Sequence, residues 1–300
     1  RDSRGSMRAL VSSRPLTPKP WLEGPEGNPR LPGTALLEDL LYHLSDQGID
    51  EVLAPSGDAL ERSGLLPGMR REELRSVADD VMILVSCSGP FRCDFQRLRA
   101  TLLASEADCV IALLAQGRRS SLPRIFADPL GRPQLIQKPD HPEPVTNLRH
   151  TGIRVIRTRF APAALDASPF TAPVGDLRIL CDTASCSHQR DILTPESFLL
   201  CCHDFLAGRI SVLSRSGAGS DKSIASPSSG ASSAPGRNVW LAENVRLGKD
   251  TVLENTVVLS GARIGDRCRL RSTLVLPGTV VASGTDCSDK YLSVLGMDRR

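Results

Sequence analysis

"LAENVRLGKDTVLENTVVLSGARIGDRCRLRSTLVLPGTVVA", residues 241–282, decides the fold of the second half of this chain. Leu241, Leu247, Leu253 and Leu259 recur every six residues. After one five-residue step, Ile264, Leu270 and Leu276 resume the period, and Ala282 continues it weakly. A period of six matches neither an α-helix, at about 3.6, nor an amphipathic strand, at about 2. It fits a parallel β-helix, in which each hexad makes one flat side of a triangular coil and points its aliphatic side chain inward. No coil can bury that side chain alone, so coils must stack. "GKDT", "SGAR", "GDRC" and "PGTV" supply small or turn-prone residues at the corners. The pattern spans 238–290, between two and three coils.

Working toward the N-terminus, residues 214–237 ("SRSGAGSDKSIASPSSGASSAPGR") are dominated by Ser, Gly, Ala and Pro. With one isoleucine as the only large apolar side chain, they cannot bury enough surface to offset ordering entropy, and the segment reads as a flexible linker. Residues 7–213 alternate short apolar runs with amphipathic segments, the pattern of an α/β domain with a mostly parallel sheet. "TALLEDLLYHLSDQG" puts Leu37, Leu40, Leu41 and Leu44 on one helix face, and Gly48 supplies the left-handed stop. "IDEVLAP", "DDVMILVSC", "DCVIALLA", "PQLIQKP" and "TGIRVIRTRF" read as strands. The unbroken run Met82–Val85 predicts a strand covered on both faces. "CDFQRLRATLLASEA" predicts a helix with Leu98, Leu102 and Leu103 inward. "TPESFLLCCHDFLAG" predicts another, with Thr194 as N-cap and Pro195 at the first helical position. Residues 1–6 read as a tail ahead of Met7.

Composition narrows the function classes. Of 300 residues, 37 are Lys or Arg and 34 are Asp or Glu, interspersed, for a net charge of +3, and only 4% are aromatic. That leaves neither the basic stripe nor the stacking platforms that nucleic acid requires. The chain carries no apolar run near membrane-spanning length and no signal-peptide pattern, so the expectation is a soluble, cytoplasmic protein with no membrane partner. Nine irregularly spaced cysteines do not read as a disulfide framework. Cys181, Cys186, His188, Cys201, Cys202 and His203 lack the paired spacing of a zinc site, and buried free thiols are expected. His43, on an otherwise apolar helix, is expected to be packed, and Trp240 is expected to cap the β-helix core.

The opening "SSRPLTPKPWL", residues 12–22, holds Pro15, Pro18 and Pro20 around Arg14 and Lys19, and must be a loop. An α/β domain, Rossmann-like, followed by a short left-handed parallel β-helix of hexapeptide repeats is similar to the layout of sugar-1-phosphate nucleotidyltransferases. These include the NDP-sugar pyrophosphorylases of the mannose-1-phosphate guanylyltransferase kind. "RPLT" and "PKP" resemble that family's R-x-P-L-T and P-K-P elements, and "GNPRLPGTALLEDLLYHLSDQGIDEVLA" its G-x-P, helix and G-I-x-E segment. The resemblance implies that Arg14 and Lys19 are the catalytic pair, holding a nucleoside triphosphate and stabilising charge as it builds on phosphorus. "DPLGRPQLIQKP" stands where the family has D-x-x-G ending in E-K-P, and "HTGIRVI" where it has N-x-G-I-Y. The implied substrate-binding residues are therefore Gln137, Lys138, His150 and Gly152, with Lys138 on the sugar phosphate.

The departures decide which activity the resemblance implies. Only Val11, Ser12 and Ser13 separate "AL" from "RPLT", so the glycine-rich loop whose bare backbone cradles phosphates is missing. The family's metal-binding Asp of N-G-D falls on Ser88, and a neutral hydroxyl is a poor magnesium ligand. Asp94 falls at the family's second acidic position, where an N-cap role is the simpler reading. The expected protein is a catalytically impaired relative that binds a nucleotide-sugar or sugar phosphate, or acts as a regulatory or scaffolding module beside an active paralogue. The alternative is an active enzyme joining an NTP and a sugar-1-phosphate into an NDP-sugar and pyrophosphate. No cofactor is expected, save magnesium if the site is active. The β-helix is a candidate surface for homo-oligomers. No histidine follows His203, which disfavours acyltransferase chemistry on the coils.

Overall fold

The computed structural model describes residues 7–11, 30–31, 34–49, 51–55, 66–69, 81–86, 89–116, 123–138, 141–161, 177–190, 192, 194–210, 236–293 and 296–299. Two compact units emerge, one formed by Arg1–Thr17 with Leu40–Asp191, the other by Pro18–Asp39 with Ile192–Arg300. In chain order the elements up to the first unit's end are β1 (Arg8–Val11), β2 (Arg30–Leu31), β3 (Thr34–Ala35), α1 (Leu36–Asp46), β4 (Glu51–Pro55), β5 (Gly68–Met69), β6 (Val81–Val85) and β7 (Phe91–Cys93). Then follow α2 (Phe95–Ala104), β8 (Cys109–Ala115), β9 (Arg124–Ala127), β10 (Pro133–Gln137), β11 (Leu148–Arg157), β12 (Ile179–Asp182) and β13 (Cys186–Gln189). α3 (Pro195–Leu206) opens the described part of the second unit's long segment.

The main sheet runs in the order β10-β9-β11-β6-β1-β4-β5, and β8 pairs with both β11 and β12. Strands β1, β4, β5, β6, β8, β9 and β12 share one direction, and only β10 and β11 oppose it. The sheet is thus mostly parallel but mixed. All five residues of β6 are buried, as its unbroken apolar run requires of a strand covered on both faces. One face is built from Leu10, Leu53, Met82, Leu84, Ile111 and Ile156 with their neighbours. The reversal of β11 leaves no mark on the sequence, because a strand buried on both faces is apolar whichever way it runs.

α2 buries Phe95, Leu98 and Leu102, while Leu103 is 45% exposed instead of inward. Adjacent positions on a helix lie about 100° apart, so with Leu102 turned inward Leu103 points away from the same face. Asp94 accepts the Arg97 N–H at 2.8 Å as N-cap. α3 opens with a reciprocal capping box between Thr194 and Ser197. It belongs with the coils that follow. Phe198 approaches Trp240 with ring centroids 6.5 Å apart, and His203 Nε2 donates to the Asn255 carbonyl at 2.8 Å.

The coils comprise β14 (Trp240–Leu241), β15 (Arg246–Leu247), β16 (Val252–Glu254), β17 (Val257–Val258), β18 (Arg263–Ile264), β19 (Arg269–Arg271), β20 (Leu274–Val275), β21 (Val280–Val281), β22 (Asp286–Ser288), β23 (Lys290–Ser293) and β24 (Gly296–Arg299). They stack into three parallel sheets, β14-β17-β20-β23, β15-β18-β21 and β16-β19-β22, with β24 closing the first antiparallel to β23. Partners lie seventeen residues apart, as Trp240, Val257, Leu274 and Tyr291 do. Each coil therefore has two six-residue sides and one of five.

That short side corrects the phase of the repeat. The step of five falls between Leu253 and Val258 and recurs in every coil, so Val258, Val275 and Val281 join the core, not Leu259, Leu276 and Ala282. Leu259 stays buried all the same, as do Val257 and Leu274 on the outer side of that sheet. Buried threonines complete the interior, Thr256 Oγ1 donating to the Leu270 carbonyl of the next coil at 3.0 Å.

Corners stack with the same interval, and each column holds residues with positive φ. Asn238, Asn255, Ser272 and Asp289 form one column; Asn244, Gly261 and Gly278 a second; Asp250, Arg267 and Gly284 a third. Arg267, at φ 54°, carries the least suitable side chain for that region. Arg267→Gly is expected to raise stability by about 0.5–1 kcal/mol in urea denaturation. A loss instead would mean that the guanidinium does more for the corner than the dihedral costs.

Candidate functional site

The connection after β1 leads to β4 and β5 on one flank, and the chain then crosses to β6 on the other. At such a reversal the loops leaving the carboxyl ends diverge, and a crevice opens between them. Val11 and Val85, the last residues of β1 and β6, pair in register at this edge. Arg14, Lys19 and Ser88 lie outside the described residues.

Beside β6, the start of β11 builds a braced bulge. The Ser86 N–H and Oγ–H both donate to the Gly152 carbonyl, at 2.8 and 3.0 Å. The register of β11 against β8 shifts between His150 and Arg154, and Gly152 takes φ 81°, which a side chain would strain. Thr151 Oγ1 donates to the Ala112 carbonyl at 2.8 Å, and the Gly152 N–H donates to His150 Nδ1 at 2.7 Å. His150 is fully buried, and burial, with the charge of Arg154 beside it, pulls its imidazolium down to about 3. The ring is therefore neutral near pH 7, with Nδ1 as acceptor.

Gln137 ends β10, two strands from β11, and Lys138 follows it. Gln137 is buried, and both ends of its amide serve a loop: Nε2 donates to the Glu143 carbonyl at 3.2 Å and Oε1 accepts the Val145 N–H at 3.0 Å. Lys138 is exposed, and its carbonyl accepts from Arg124 Nη1 at 3.3 Å. The structure brings His150, Gly152 and Ser86 together and leaves Gln137 and Lys138 apart from them.

Two cations at this end escaped the sequence reading. Arg149 and Arg124, both buried, sit directly opposite each other on β11 and β9, and Gln137 pairs with Arg124 in the same row. Strand alternation turns this row to the face opposite His150. A serine at a strand end is common turn chemistry, so Ser86 carries no signal in sequence.

His43, Cys93, Phe91 and Phe95 form a packed cluster elsewhere in the unit, with ring centroids of His43 5.4 and 5.8 Å from the two phenylalanines. Among the described residues no three His, Cys, Asp or Glu side chains gather as a metal site, and no helix is long and apolar enough to cross a membrane.

No protein-family model and no curated protein matches this chain significantly. What the geometry offers chemically is a carboxyl edge where a constrained glycine, a serine hydroxyl and a neutral histidine meet. Arg154 is the charge beside His150, while Arg149 and Arg124 lie on the opposite face of the sheet.

Proposed function

We propose that this chain is a relative of the sugar-1-phosphate nucleotidyltransferases, with a left-handed β-helix behind its α/β domain, that binds a nucleotide-sugar or sugar phosphate and is impaired in catalysis. The observation that carries the reading is the pairing of Val11 with Val85 where the strand order reverses. Arg14 and Ser88 each follow these valines by three residues, a stretch of at most about 11 Å. In the sequence, the arginine of "RPLT" and the serine standing at the family's metal position follow these two paired strand ends at the same interval. His150 and Gly152, which stand in the N-x-G-I-Y position, border the same strand end through Ser86. A serine in place of the aspartate and a loop without its glycines support binding over turnover.

A thermal-shift series with nucleoside triphosphates, sugar-1-phosphates and nucleotide-sugars, each with and without magnesium, tests this. Nucleotide-sugars are expected to raise the midpoint by a few degrees without magnesium, since ligand at a hundred times its Kd adds about 2.7 kcal/mol. Lys138→Ala, at an exposed position, is expected to weaken that binding by roughly tenfold. Magnesium-dependent stabilisation by a triphosphate would overturn the impaired reading and favour the active enzyme. No shift with any of these ligands would remove the ligand-binding role altogether.

A further inference from the structure

β7 and β13 form a two-stranded antiparallel ribbon apart from the main sheet, and in it Cys93 stands directly opposite Cys186. Both side chains are buried, at 3% and 4% exposure. The Asp94 N–H donates to the Ser185 carbonyl at 2.8 Å and the Arg190 N–H to the Pro90 carbonyl at 3.1 Å, and the register shifts between Cys186 and His188. Cys93 turns its own backbone the other way. Its N–H donates to His43 Nε2 at 3.0 Å, and its carbonyl oxygen lies 3.1 Å from the same nitrogen.

Cys93 and Cys186 therefore face each other beside a bulge, with a hydrogen bond between their sulfurs, and antiparallel neighbours lie about 4.5–5.5 Å apart at Cα. That spacing lies inside the range a disulfide accepts, about 4.4–6.8 Å. We infer that Cys93 and Cys186 are a dithiol that closes to a cross-strand disulfide and staples β7 to β13 in response to a small disulfide oxidant.

The exchange balances without a further reactant. One cysteine thiolate attacks a sulfur of oxidised glutathione and expels one glutathione thiolate. The second cysteine then attacks the mixed disulfide and expels the other glutathione. Two protein thiols become one disulfide, one oxidised glutathione becomes two reduced molecules, and the two thiol protons leave with them. The hydrogen bond between the two sulfurs, burial and the nearby Asp182 and Asp94 carboxylates push the Cys93 thiol far above its ordinary value. Thiolate is therefore scarce, and closure is slow.

The staple would act next to the proposed ligand crevice. β7 begins six residues after the last residue of β6, and Cys93 immediately precedes the Asp94 cap of α2. Closing a loop of about ninety residues removes much freedom from the unfolded chain.

The test is to equilibrate the folded full-length chain with oxidised glutathione for days, alkylate, and map peptides under non-reducing conditions. Expected are a linked Cys93–Cys186 peptide, two fewer free thiols per chain, and a melting midpoint higher by roughly 10 °C, all reversed by dithiothreitol. Cys93→Ser and Cys186→Ser should each abolish the linked peptide and the shift. Recovery of both cysteines as separately alkylated or glutathionylated peptides would overturn the inference. So would a linkage found only after unfolding in urea, or one joining either cysteine to a different partner.

Discussion

Gly265→Val is expected to remove about 2–4 kcal/mol from the stability of the coils, the largest single-site loss among the predictions for this unit. A Cβ at this position would stand 2.5 Å from the Ser283 nitrogen and 2.8 Å from its Cα, in the next coil. Those atoms are backbone, so no side chain can swing aside. Stacked strands lie only about 4.8 Å apart, and the valine can be seated only by separating the coils. Two bonds would stretch with that separation, the Gly265 N–H to the Val281 carbonyl at 2.9 Å and the Asp266 N–H to Ser283 Oγ at 3.0 Å. Val280, 72% exposed on the adjoining coil, supplies the control, and Val280→Ala should change stability by less than about 0.5 kcal/mol. Urea denaturation of both variants decides the matter. Equal midpoints for the two would show that the coils are not packed as described.

The second large effect is in acid. In the unfolded chain His150 takes up a proton as pH falls through about 6.5, whereas the folded chain refuses it down to about 3. Below about pH 6.5 the unfolded state therefore binds more protons, and stability falls with pH until the folded value is reached. Above that window the group adds no pH dependence. By pH 4 the loss attributable to His150 is about 3 kcal/mol. His150→Asn keeps an acceptor, Oδ1, at the place where Nδ1 meets the Gly152 N–H, but cannot titrate. It is expected to lose about 1 kcal/mol at pH 7 from the smaller side chain, and to show a flatter decline between pH 6.5 and pH 4. Parallel stability–pH curves for the two proteins would rule out His150 as the source. Asp108 falls in the same direction at lower pH. Burial pushes its carboxyl up, but the backbone N–H, side chain and charge of Arg178, with Arg159, outweigh that and hold it below the ordinary range.

The candidate site was legible only where chemistry and local pattern coincide. Gly152 was singled out by its resemblance to the glycine of N-x-G-I-Y, and the structure adds a local reason for a glycine there, its φ of 81° at a bulge. Gln137 was singled out from the resemblance of "QKP" to E-K-P, but not as a side chain whose amide is engaged at both ends by the 143–145 loop. Arg149 and Arg124 were invisible as a pair, since they come together only through the single register contact between β11 and β9.

By itself the sequence determined the helices, the strands buried on both faces and the existence of stacked coils. Each of these is a local alternation of apolar and polar residues, and burial writes it directly into the order of side chains. Only the tertiary structure decided that β11 runs against its neighbours, that the short side of each coil falls before Val258 and not after Leu259, and that Cys93 faces Cys186. These depend on which strand lies beside which and in what register. That choice is made by long-range pairing between segments as much as ninety residues apart, and no local period records it.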